Sequence, residues 1–87
     1  MTNAEARITQ SYRQLVQQSR DGWVSLTALR RDLADVDRET LDATLQTMRR
    51  SKILSMTLEV NQSRLTKEDR AAALKVGSDN MHFIIFN

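Results

Sequence analysis

The sequence contains no cysteine and no proline, only two glycines, Gly22 and Gly77, and one histidine, His82. Each shortage closes a class of chemistry. Without cysteine there is no disulfide framework, no zinc–thiolate site and no thiol nucleophile. A lone histidine excludes paired-histidine metal motifs such as H-E-x-x-H. It lies at the head of the apolar run His82-Phe-Ile-Ile-Phe86, where a structural residue hydrogen-bonded in place, or on the polar side of a sheet, is expected. The two glycines are too far apart for a phosphate-cradling loop. No stretch approaches the ~20 apolar residues of a membrane span, and the N-terminus lacks a signal peptide's apolar core. The expectation is a cytoplasmic protein with no membrane partner, no metal, no cofactor and no enzymatic activity.

What is present is ordinary for a globular chain. Its 87 residues fit a single domain over 1–87, and 40% hydrophobic with 28% charged residues argues against disorder. Thirteen basic residues against eleven acidic ones give a net charge of +2, a mild excess for a nucleic-acid binder. The excess lies in residues 1–52, because residues 53–87 carry four of each sign.

The periodicities predict a helix over 3–19 with Ile8, Tyr12, Leu15 and Val16 on one face. Asn3 is its candidate cap, and Gly22 closes the following turn. Trp23-Val24 is a short edge pairing, with Trp23 expected as a core anchor. Ser25 caps a second helix from Leu26 to about Ala34, with Leu26, Leu29 and Leu33 inward. Ala34-Asp35-Val36 is a tight connection with Val36 as an apolar plug. Asp37 caps a third helix that ends by residue 51, burying Leu41, Leu45 and Met48. A strand over 53–60 alternates Leu54, Met56, Leu58 and Val60 with polar residues. Thr66 and Asp69 have the spacing of a capping box, and a short helix is expected through Leu74. Gly77 to Asn80 form an exit turn. Residues 82–86 form the last strand, apolar enough to be central, with Phe83 and Ile85 expected inward and Ile84 and Phe86 elsewhere.

The order helix, short strand, helix, turn, helix, strand, excursion, strand resembles the winged helix-turn-helix superfamily over essentially the whole chain. Trp23-Val24-Ser25, Leu26 to Ala34, Asp37 to Arg50, and the strands 53–60 and 82–86 carry the likeness. It implies an α+β fold with three main helices, a small antiparallel sheet and a long wing holding a short helix. It also implies DNA binding and transcription regulation, with helix 37–51 as the reader. The tail, Leu65 to Gly77 followed by His82-Phe-Ile-Ile-Phe86, is also similar to small modules that end larger bacterial proteins.

If the third helix enters a major groove, Arg38, Thr40, Ala43, Thr44 and Thr47 face base edges. Arg30, Arg31, Arg49, Arg50 and Lys52 are candidate phosphate contacts. Glu39 and Asp42 oppose this, and Asp42 has Arg38 as an i, i+4 partner. The alternative is a protein-docking or dimerisation module of a larger bacterial assembly, without direct DNA contact, using the first helix or the last strand.

Overall fold

The computed structural model describes residues 3–87. Its elements are α1 (Asn3–Leu15), β1 (Val24–Ser25), α2 (Leu26–Asp32), α3 (Arg38–Arg50), β2 (Leu54–Thr57), α4 (Lys67–Ala72), β3 (Leu74–Val76), β4 (Asp79–Met81) and β5 (Phe83–Phe86). The described residues form an α+β fold with four α-helices and a small antiparallel sheet in the order β1-β5-β2, plus a separate β3–β4 hairpin. None of the described helices is long and apolar enough to cross a membrane.

The leucine spacing predicted from sequence becomes the core. Ile8 of α1, Leu26 and Leu29 of α2, Leu41, Leu45 and Met48 of α3, Leu54 of β2 and Ile84 of β5 are all under 2% exposed. Val36 packs against this cluster from the α2–α3 connection. The first helix is shorter than predicted: it tightens into a 3-10 turn at Val16–Gln18, and Ser19 is extended. Ser19 Oγ then accepts from Gly22 N and donates to Trp23 O, closing the turn locally. Gly22 sits at φ +85°, and a Cβ there would lie 3.1 Å from Ile85 Cδ1. Its carbonyl accepts from the Tyr12 hydroxyl at 2.7 Å, so the turn is fastened to α1.

Two expectations about the sheet are corrected. Ile84 is fully buried, while Phe83 and Ile85 are half-buried on the other side. Ile84 pairs with Val24 and Met56, and Phe86 pairs with Leu54 and stacks on Tyr12 at 4.5 Å. An apolar run carries no alternation of its own, and a slip of one residue exchanges the two faces. The flanking backbone settles the register: His82 N donates to Thr57 O, and Leu26 N donates to His82 O. Trp23 lies outside the core cluster, half-buried beside Phe83, Leu58 and Val60 in an open hollow on the sheet's outward side.

The strand after α3 ends at Thr57, and Val60 is 88% exposed. The backbone N–H of Glu59 leaves the ladder and donates to Nδ1 of His82, at 3.0 Å. That bond makes Nδ1 the acceptor and assigns the proton of the neutral ring to Nε2. His82 is thus a buried anchor for the excursion that follows.

The capping box forms as predicted, with Thr66 Oγ1 accepting from Asp69 N and Asp69 accepting from Thr66 N. The helix it starts stops sooner. Ala73 turns extended, and Leu74, 5% exposed, opens β3 instead of closing α4. The predicted exit turn is a hairpin: β3 and β4 join through Gly77-Ser78, with Gly77 alone of the pair at positive φ. That is the pattern of a two-residue connection with glycine first.

Candidate nucleic-acid interface

α3 begins at Asp37, whose carboxylate accepts from Thr40 N at 3.0 Å. Thr40, through its hydroxyl first and its N–H second, holds the Asp37 carboxyl below the usual carboxylate range. Asp69 is likewise held low, by the Thr27 hydroxyl first and then by Thr66 N–H. A depressed native pKa means that the unfolded chain binds protons more readily. The resulting stability is present in full above the ordinary carboxylate value of ~4 and is lost as pH falls through it toward the native values. Urea midpoints are therefore expected to be level from neutral pH to mildly acidic pH and to drop steeply below pH ~4. Asp37→Asn, which keeps an acceptor for Thr40, is expected to make that acid limb shallower. An unchanged limb removes Asp37 from the pH dependence.

The helix presents three strips. Leu41, Leu45 and Met48 face the core. Beside them run Arg38, Asp42, Gln46 and Arg49, four or three positions apart, and the excursion covers most of this strip. Arg38 Nη2 donates to Ala73 O at 3.2 Å, and Gln46 Nε2 donates to Lys75 O at 3.0 Å. Arg49 Nε donates to Gln46 Oε1. The third strip carries Glu39, Thr40, Ala43, Thr47 and Arg50, all exposed.

The nine residues selected from sequence therefore separate. Arg30 is drawn inside: its side chain is 14% exposed, its Nε donates to Ala72 O at 2.7 Å, and its Nη2 lies 2.7 Å from Asp42 Oδ1. Arg31 pairs with Glu68 of α4. Arg38 shares Asp42 at 3.7 Å, the predicted i, i+4 pair, but Arg30 is the nearer partner. Arg30 and Arg38 together cap the C-terminal carbonyls of α4, a role suited to cations at that end of a helix. Sequence inspection has no signal for this, because the acceptors are backbone carbonyls far along the chain.

Of the remaining six, Thr40, Thr47 and Arg50 lie on the outer strip, Thr44 at its margin and Lys52 just past its end, while Arg49 belongs to the second strip. Thr44 and Thr47 turn their hydroxyls back to Thr40 O and Ala43 O, leaving their methyl groups outward on the helix surface. Arg50 and Lys52 are exposed and make no ion pair among the described residues. Lys52 is unusual, with φ +62°, the one non-glycine residue at positive φ among those described. Lys52 N donates to Arg49 O and Ile53 N to Met48 O, the double bond pattern that ends a helix through a left-handed residue. Glycine is the usual occupant there, and a side chain costs about 1–2 kcal/mol.

Among the described residues no group of three or more His, Cys, Asp or Glu could hold a metal ion. No protein-family model, curated protein or solved structure matches the chain.

Proposed function

We propose that the chain is a winged helix-turn-helix module that binds duplex DNA in the bacterial cytoplasm, acting by binding and not by catalysis. The sheet order, with the last strand between the other two, and the α2–α3 pair support the fold reading. The observation that carries the DNA reading is Lys52. A cation held at a left-handed position, where glycine costs less, is strain concentrated next to Arg50 at the end of the proposed reading helix. The outer strip leading to it is built of short side chains at Thr40, Ala43 and Thr47, so the helix backbone can approach base edges closely. Arg49, Arg50 and Lys52 would take phosphates, with Thr44 at the margin of the strip. Arg30, Arg31 and Arg38 lie outside this narrower site.

The test is Lys52→Gly with random duplex DNA across a salt series. The variant is expected to be as stable as the parent chain or about 1 kcal/mol more stable. It is expected to bind DNA more weakly, with a log–log salt slope smaller by about one unit. Gained stability with lost binding separates a functional lysine from a helix terminator. Unchanged DNA binding in Lys52→Gly, or none by the parent chain at low salt, overturns the reading.

A further inference from the structure

The three arginines withdrawn from the DNA site come together around a different feature. Between α2 and α4 lies a shallow groove of about 350 Å³. Its floor is apolar, made by Ala34 of the α2–α3 connection and by Ala71 and Ala72 of α4. Arg30, Arg31 and Arg38 stand around it, with Glu68 as the single acidic residue of the lining. Ala34 and Ala71 are exposed.

We propose that this groove docks an acidic segment of a partner protein, seating one apolar side chain on Ala34 and Ala71 and its carboxylates on the arginine rim. Three observations select that occupant. The rim stays cationic, with three arginines against Glu68 and the one Asp42 carboxylate that Arg30 and Arg38 share, so an acidic partner is complementary. Arg30 holds a buried donor, Nη1, with no hydrogen-bond partner, and its Nη2 meets Asp42 without hydrogen-bond alignment. That guanidinium is short of partners, and a carboxylate seated on the neighbouring Arg31 and Arg38 adds compensating negative charge beside it. Finally, Glu68 already shows how a carboxylate sits on this rim. Its pair with Arg31 is open to solvent, at 69% and 51% side-chain exposure, and such pairs are weak enough to exchange for a partner's acid. A DNA phosphate fits less well, because it gains nothing from an apolar floor. The proposal stands on elements other than the outer strip of α3 and is independent of the DNA reading. It also differs from the first-helix and last-strand surfaces expected from sequence.

The experiment pans displayed random short peptides against the full chain, and the most enriched sequence, synthesised with a fluorophore, becomes the probe. Enrichment of Asp or Glu flanking an aliphatic or aromatic residue is expected. Ala71→Glu, a helix-compatible change on an exposed position, and Arg31→Glu should each weaken the probe by about tenfold or more. Glu68→Gln, which removes the competing carboxylate, should strengthen it by about threefold. Arg13→Ala, on α1, should leave it unchanged. Circular dichroism and urea unfolding verify that each variant is folded. Backbone resonances of Ala34 and Ala71 should shift with the probe and stay fixed with duplex DNA. Failure to enrich acidic–apolar peptides, equal binding by Ala71→Glu, weaker binding by Glu68→Gln, or groove resonances that answer to DNA instead each overturn the proposal.

Discussion

Replacing Ile84 by alanine is expected to cost ~2–5 kcal/mol, most of the stability of a domain this small, while Ile85→Ala costs ~1 kcal/mol or less. The two residues are adjacent and chemically identical, so the contrast isolates which face of β5 is the core face. Ile84 is fully buried between Val24 and Met56 on the central strand, and its removal opens a cavity in the core that the surrounding side chains only partly collapse to fill. Ile85 is half-buried on the outward side, against Gly22, and can be trimmed with solvent filling the gap. Urea unfolding of the two variants gives the answer. Equal costs, or a larger cost at Ile85, mean that the strand pairs one residue out of the register described here. Ile84→Ala is expected to be partly unfolded at 37 °C, with a broadened transition, because the cost approaches the whole margin of folding.

That pair of residues marks where the sequence stops being legible. Helices declare themselves through spacing: Leu41, Leu45 and Met48, with Asp37 in front, locate α3 to within a residue, and Thr66 with Asp69 locates the start of α4. These features are local, set by which side chain can cap which N–H and by the 3.6-residue period. The face of β5 is not local. Phe83 to Phe86 are apolar throughout, and the choice between faces is made by His82, which joins Thr57 and Leu26 through its own backbone. The hairpin was hidden for a similar reason. Ala71-Ala72-Ala73-Leu74 has strong helix propensity, but Leu74 is drawn into the core and Ala73 must extend to deliver it. Tertiary burial overrides propensity there. For the candidate site the split is between side-chain and backbone partners. The Arg38–Asp42 pair was readable from spacing. The engagement of Arg30 and Arg38 by the carbonyls of Ala72 and Ala73 was not, since any residue offers a carbonyl.

Asp42→Ala is expected to act in opposite directions on stability and on DNA affinity. Asp42 is the sole carboxylate paired with Arg30 or Arg38 among the described residues, and it ties α2 and α3 beneath the end of α4. Its removal leaves the Arg30 guanidinium, 14% exposed, with only Ala72 O as a partner. A fully buried unpaired charge costs 3–5 kcal/mol, and partial solvent access at this site reduces that to ~2–3 kcal/mol. The damage should concentrate in residues 72–81, seen as faster amide exchange, because the arginines that cap α4 lose the anion that orients them. Arg30→Met/Asp42→Leu removes both charges and is expected to recover at least half of the loss, since apolar residues can replace such a pair at little cost. The same deletion frees Arg38 beside the outer strip of α3 and takes away one negative charge, so non-specific DNA binding should tighten at low salt and the salt slope should steepen. A cost below ~0.5 kcal/mol would reduce Asp42 to a solvated surface group. A destabilised variant with unaltered DNA affinity would assign Asp42 to the fold alone and detach Arg38 from any DNA contact.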